Sequence, residues 1–282
     1  MKIELAKNAG FCSGVKHTLA MVWNNLDKME KPIRIYGNLV HNEEVIKELV
    51  KQGIEIIDNL EYARDGTLII TAHGISPLVK KELLKRKNLE VFDTTCPQVL
   101  RVHNLAKSLS QEKRKVLIFG DISHEEVKGI QGATNEQAIV FSSEQELNKI
   151  NFNPNEKYGL VVQTTQDLEK FIEIEKKIKA KIKGILIFNT ICGATRQRQK
   201  EARELAKKND IVVIVGSRTS ANTNRLYEIA LRINKNSYLI SRSNEIKINW
   251  LKNKTNVGIT AGASTPDWII KEVIQKIKNL TM

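Results

Sequence analysis

Three segments of this chain repeat one another, and the repeat dictates what it can fold into. Ile35-Tyr36-Gly37 is followed by His41, Ile118-Phe119-Gly120 by His124, and Ile214-Val215-Gly216 by Ser220. Each time an apolar run ends in glycine and a polar residue stands four positions later. The glycines are 83 and 96 residues apart, and the only three cysteines, Cys12, Cys96 and Cys192, are 84 and 96 apart. Two independent markers with one spacing indicate an internal repeat. A looser third marker runs with them. Leu68-Ile69-Ile70-Thr71 leads to His73-Gly74, Leu160-Val161-Val162-Gln163 to Thr164-Thr165, and Val257-Gly258-Ile259-Thr260 to Gly262-Ala263-Ser264.

Strand-like runs alternate with helical patterns, which implies parallel sheets with crossover helices. Val15, Leu19, Val22 and Leu26 form a helical stripe after Cys12; Val99, Val102, Ala106 and Leu109 form another after Cys96. The stretch from Arg196 to Lys208, after Cys192, is more polar. The expected fold is α/β, three units with parallel sheets placed around a pseudo-threefold axis. Their expected bounds are 13–95, 96–191 and 192–282, the last completed by an N-terminal strand in 1–12. Ligands of open α/β sheets bind beyond the carboxyl ends of strands. The nine marked loops are expected at such ends, facing one central cavity.

The cysteines share a context: Phe11-Cys12-Ser13-Gly14, Thr95-Cys96-Pro97 and Ile191-Cys192-Gly193, each before an expected helix. Three buried, unrelated thiols are the bland explanation, since free cysteine packs as a small hydrophobe, but the matched contexts and spacing argue against it. Zinc is a second, although its structural sites use local ligand pairs that this chain lacks. Three thiolates one short of a [4Fe–4S] ligand set are a third. The positive ends of the following helices suit an anionic cluster.

The polar loops offer anion-binding groups: His41, His73, His124, Ser220, Asn222 and Ser264 as hydrogen-bond donors, with backbone amides of the Gly216-Ser217 and Gly262-Ala263 turns as possible nests. No Gly-x-x-x-x-Gly-Lys loop occurs, so a P-loop nucleotide site is excluded. Glu126 suits a proton donor if desolvated. As a first-turn glutamate it equally suits the helix dipole, as do Glu43, Glu44 and Glu125. Thr164 and Thr165 either orient a hydroxyl or cap the helix starting near Asp167. His17 and His103 fall inside helical patterns and are taken as structural.

The formal charge of +13 raises the question of nucleic acid. Lysines spread over solvated helix faces account for it better. From Leu168 to Ile182, Leu168, Phe171, Ile174, Ile178 and Ile182 share one face with lysines opposite. Few aromatics interleave with the basic residues, so no base-stacking platform is expected. The charge does favour a small anionic substrate. No apolar run approaches the roughly 18 residues of a membrane span, and Met1-Lys2-Ile3-Glu4 lacks an export pattern. With no close cysteine pair, a reducing, cytoplasmic location is expected.

The ordered motifs Gly10-Phe11-Cys12-Ser13-Gly14-Val15, Val40-His41-Asn42, Ala72-His73-Gly74, Asp93-Thr94-Thr95-Cys96-Pro97, Gln163-Thr164-Thr165 and the block from Gly216 to Leu226, with Ala261 to Pro266, resemble the 4-hydroxy-3-methylbut-2-enyl diphosphate reductase (LytB) family. The resemblance implies a trefoil of three pseudo-threefold-related α/β units around a central iron–sulfur cavity, with one [4Fe–4S] cluster per chain on Cys12, Cys96 and Cys192. It implies an allylic diphosphate held by His41, His73, His124, Ser220, Ala221, Asn222 and Ser264. Glu126 would relay protons and Thr164 would place the hydroxyl end. The implied reaction uses two electrons and two protons and yields isopentenyl and dimethylallyl diphosphates. The electrons come from an external donor such as flavodoxin or ferredoxin; no nucleic acid or membrane partner is expected. Three positions depart from the family pattern. Ala221 replaces a serine, Ala9 stands where a basic residue is common, and Glu125 replaces a proline. A cluster-based redox sensor or RNA-binding regulator, and a non-redox hydratase, are the competing expectations.

Overall fold

The structure, a computed structural model, describes residues 1–281. Its strands are β1 (Lys2–Leu5), β2 (Ile33–Tyr36), β3 (Glu55–Ile57), β4 (Gly66–Ile70), β5 (Leu89–Asp93), β6 (Lys115–Phe119), β7 (Ile139–Phe141), β8 (Tyr158–Val162), β9 (Leu186–Ile187), β10 (Ile211–Val215), β11 (Ser237–Ile240) and β12 (Asn256–Ala261). Its α-helices are α1 (Ser13–Asn25), α2 (Glu43–Lys51), α3 (Pro77–Leu83), α4 (Pro97–Gln111), α5 (Glu125–Gly132), α6 (Glu144–Lys149), α7 (Leu168–Lys181), α8 (Gly193–Lys208), α9 (Ala221–Ile233), α10 (Ile248–Leu251) and α11 (Asp267–Thr281).

The strands form three four-stranded sheets, ordered β3-β2-β4-β5, β7-β6-β8-β9 and β11-β10-β12-β1. All their pairings are parallel. The three orders are one order repeated. In the third sheet the fourth place is filled by β1, in register from Lys2 against Asn256 to Leu5 against Ile259. The fold is thus three parallel-sheet α/β units.

By packing, the chain divides into two compact units. One comprises Met1–Lys16, Val40–Glu48 and Gly193–Met282, the other His17–Leu39 and Leu49–Cys192. The first holds the sheet containing β10, whose five residues are all buried. Side chains alternate across a strand. Ile211, Val213 and Val215 therefore pack with Ile269, Ile270, Val273 and Ile277 of α11 on one face. Val212 and Ile214 pack with Ala202, Leu226 and Ile229 on the other. Being covered on both faces explains the unbroken β-branched run. Each such side chain contributes about 1.5–3 kcal/mol of burial.

The second unit holds the other two sheets. Leu117, Phe119 and Val162 meet Phe171, Ile174 and Ile178 of α7, while Val116, Ile118 and Val161 meet Val102, Ala106 and Leu109 of α4. Leu68 of β4 packs with Ile57, Leu83 and Leu89. The expected stripes are buried, except that Leu168 is partly exposed and that α1 ends at Asn25, leaving Leu26 in a 3₁₀ turn with partial exposure. Helix α8 is regular over sixteen residues despite its polarity, because Thr195, Arg198, Gln199 and Glu201 belong to its buried face. Among the described residues no helix is long and apolar enough to cross a membrane.

Candidate functional site

Each cysteine joins an edge strand to a helix: Cys12 between β1 and α1, Cys96 between β5 and α4, Cys192 between β9 and α8. Their backbones are held alike. The Cys12 N–H donates to the Ala263 carbonyl, that of Cys96 to Ala72 and that of Cys192 to Thr164, each at 3.0 Å. Every acceptor lies two residues beyond the end of the neighbouring strand. The three side chains are half-buried and no disulfide joins them among the described residues. The first turns of α1, α4 and α8 carry no acidic residue, unlike those of α2 and α5. Omitting carboxylates leaves the positive helix end to another anion. Cys12 Sγ already accepts the Val15 N–H at 3.4 Å.

Arg198, absent from the expected site residues, fixes the approach to Cys12. It is 3% exposed, and its Nη2 donates to the Gly10 carbonyl at 2.7 Å. Gly10 itself has φ +89°, and a Cβ there would lie 2.8 Å from Asp267 Oδ1. The available signal was a charge early in a helix with no clear apolar stripe.

In the second unit, His124 caps α5: its Nδ1 accepts the Glu126 N–H at 3.2 Å. Glu126 is then carried inward and is 1% exposed. Its Oε1 accepts the Thr164 N–H at 2.6 Å and its Oε2 the Thr164 hydroxyl at 2.8 Å. Burial pushes the Glu126 carboxyl up to about 7, against the opposing pull of these two bonds. Thr164 therefore links the carboxyl to the Cys192 backbone. The rings of His73 and His124 meet edge to face at 5.4 Å between centroids, with a nitrogen of each within 4.8 Å of the other.

The other first-turn glutamates differ. Glu125 turns toward Gly37, where a Cβ would lie 3.1 Å from its Oε1; partial burial raises its pKa. Glu43 is exposed and Glu44 pairs with Arg242. Thr164 and Thr165 do not cap α7. Asp167 does so, accepting the Glu169 N–H at 2.9 Å, and Thr165 Oγ1 accepts from Gln163 Nε2 at 3.1 Å. His103 is buried in α4, as a structural histidine should be. Desolvation lowers its pKa to about 4, partly opposed by Asp93. A Cβ on Gly129 would lie 2.8 Å from its Nε2 and one on Gly74 3.3 Å from its Cε1. It spaces the His73 loop from α5. His17 is exposed on α1.

In the first unit, Ser220 caps α9, its Oγ accepting the Thr223 N–H at 3.3 Å. Ala221 begins the helix, partly exposed. Asn222 is 4% exposed, and its Nδ2 has no hydrogen-bond partner among the described residues. A buried donor left unmet is costly, so an acceptor arriving here would be held firmly. Ser264 Oγ donates to the His41 carbonyl at 2.9 Å. Burial lowers the His41 pKa, partly opposed by Glu43. Asn42, not His41, caps α2, accepting from Glu44 and Val45 at 3.1 and 3.3 Å. The expected nest amides of Gly216 and Gly262 are committed elsewhere. They donate to Ile240 and Val215 carbonyls at 2.9 Å each, where strand ends need closing.

The sequence profile of the LytB protein family matches residues 3–278. A Campylobacter lari protein named 4-hydroxy-3-methylbut-2-enyl diphosphate reductase is 41% identical over 285 residues, covering 100% of this chain and 99% of that one. A Clostridioides difficile protein of the same name is 36% identical, covering 99% of this chain and 100% of that one. The solved E-1-hydroxy-2-methyl-but-2-enyl-4-diphosphate reductase of Plasmodium falciparum is similar with a TM-score of 0.93 at 31% identity, covering 100% of this chain and 88% of that one. A second solved reductase, described as the terminal enzyme of the non-mevalonate pathway, gives a TM-score of 0.71 at 34% identity, with 99% and 100% coverage.

Proposed function

The chain belongs to the LytB protein family, and on that premise we propose how its residues perform the family's reaction. It is an oxidoreductase that reduces (E)-4-hydroxy-3-methylbut-2-enyl diphosphate, the terminal step of the non-mevalonate pathway. The products are isopentenyl and dimethylallyl diphosphates. The carbon–hydroxyl bond breaks, the hydroxyl leaves as water, and two electrons and two protons enter.

Segments 13–95, 96–191 and 192–282 with strand 1–12 act as three repeats. Cys12, Cys96 and Cys192 would hold one [4Fe–4S] cluster, which when bound supplies electrons and an open iron as Lewis acid. The donor set fits: three thiols at helix starts without carboxylates, each with its amide tied in the same way.

The chain's own groups do the rest. Ser220 and Asn222 offer a hydroxyl and an unmet amide donor to the diphosphate, with Ser264, His41, His73 and His124 completing its contacts and Ala221 adding only backbone. Anchoring the remote diphosphate fixes the reacting carbon without further entropy loss in the chemical step. Glu126, with a pKa near 7, is partly protonated at neutral pH. It gives a proton to the departing hydroxyl, a poor leaving group otherwise. Thr164 orients that hydroxyl through the Oγ it shares with Glu126. The buried Glu126–Thr164 pair is the observation that carries this assignment.

The electrons come from an external one-electron carrier of the flavodoxin or ferredoxin class, and the cytoplasm, where thiols stay reduced, is the setting. Anaerobically purified protein, given a chemical reductant and the allylic diphosphate, should release both products. Iron-replete protein that releases neither would overturn the assignment. Allylic diphosphate consumed without reductant, giving a water adduct instead of these products, would favour a hydratase.

A further inference from the structure

Helix α4 begins at the residue after Cys96 and has two unlike faces. Val99, Val102, His103, Ala106 and Leu109 are buried. Pro97, Leu100, Arg101, Asn104, Leu105 and Ser108 line a shallow outer groove of about 420 Å³. Leu100 remains 40% exposed although the helix has already filled its core stripe. None of the fifteen residues is acidic, whereas Arg101 and Lys107 are cations.

The groove is also close to the cysteine by bonding. The Cys96 carbonyl accepts the N–H of Val99 at 2.9 Å and of Leu100 at 3.1 Å. Leu100 stands about 6 Å along the helix axis from Cys96, at 1.5 Å per residue. One hydrogen bond and the Cys96 backbone separate an exposed apolar residue from a thiol assigned to the redox centre.

We propose that this face of α4 is the docking surface for the acidic one-electron carrier protein that reduces the enzyme. The inference rests on the assignment of Cys96 as a cluster ligand. Leu100 and Pro97 give the small apolar contact that transient redox encounters use. Arg101 and Lys107, within a chain of net charge +13, steer a negative partner and repel a positive one. Each encounter oxidises the carrier by one electron. Two encounters supply the pair that, with two protons, removes the hydroxyl as water.

The test compares two reductants on anaerobic holoenzyme: reduced methyl viologen, which needs no docking surface, and reduced plant-type ferredoxin. In Arg101→Glu and Leu100→Glu, kcat/KM for ferredoxin should fall roughly tenfold or more, while viologen-driven turnover stays unchanged. Arg101→Lys should retain most ferredoxin-driven activity. A binding titration with ferredoxin should weaken by a similar factor, and its salt dependence should flatten. Equal loss with both reductants would mean damage to the helix and overturn the proposal; so would ferredoxin activity and binding left intact. Wild-type protein inert with viologen would instead strike at the reductase assignment, and the titration would still decide the docking surface.

Discussion

After β6 the chain runs from Gly120 to His124 to Glu126; after β10 it runs from Gly216 to Ser220 to Asn222. The backbone frame is common to both. Each glycine N–H closes the end of the outer strand, Gly120 to Phe141 at 3.0 Å and Gly216 to Ile240 at 2.9 Å. Four residues later a side chain caps the helix. Two residues beyond the cap a polar side chain is buried, 1% exposed for Glu126 and 4% for Asn222. The chemistry differs. One loop buries a carboxyl that burial drives into the neutral range and ties it to Thr164. The other buries an amide that never titrates and leaves its Nδ2 open to an acceptor. A single frame thus presents a titratable carboxyl in one repeat and an open amide donor in another, which the proposed function uses for proton delivery and anion binding.

Exchanging the two chemistries tests this division. Glu126→Gln keeps the shape and loses the proton, so kcat should fall about 10²–10⁴-fold with KM nearly unchanged. Steady-state kinetics with a chemical reductant would show it, and a surviving kcat would remove Glu126 from proton delivery. In the wild type, kcat should decline as pH rises past about 7, where the carboxyl loses its proton.

The same carboxyl has a cost in stability. Its folded pKa lies above its ordinary value of 4.5, so the folded state binds the proton more tightly than the unfolded one. Its contribution is fully present below pH 4.5 and declines as pH rises to about 7. Relative to Glu126→Gln, the wild type should lose on the order of 3 kcal/mol across that window. Denaturant melts at several pH values measure the difference; parallel curves would contradict a desolvated carboxyl.

Asn222→Asp performs the reverse exchange. If Asn222 holds the diphosphate as proposed, a carboxylate in its place should raise KM roughly tenfold or more and leave kcat less affected; an unchanged KM would take Asn222 out of the anion site. The smallest effect concerns the frame. Gly120→Ala and Gly216→Ala both bring a Cβ to within 2.8 Å of neighbours, but only Gly216 has a strained φ, +151°. Gly216→Ala should therefore be the less stable by about 1–3 kcal/mol in thermal melts.

Much of this is legible in the residues alone. The spacing of Gly37, Gly120 and Gly216 sufficed for three parallel sheets, because strand-like runs ending in glycine and leading to helices have few other solutions. The choice among four first-turn glutamates was not legible. Glu125 and Glu126 are neighbours of one type, and only the rotation of α5 against its sheet sends one inward. Nor was the one-residue shift after β2, where Asn42 takes the cap. Both residues can cap, and packing decides. The glycine amides looked available because the sequence does not reveal which strand end will claim them. Arg198 stayed hidden because the buried face of α8 is itself polar.

The most direct test is a Mössbauer spectrum of anaerobically reconstituted protein, recorded with and without the allylic diphosphate. The expected result is one [4Fe–4S] cluster per chain with a single distinct iron that alone shifts when the diphosphate is added. Absence of a cluster, or four irons equally unmoved by the diphosphate, would contradict the assignment of Cys12, Cys96 and Cys192 as ligands of a cluster with one iron left open.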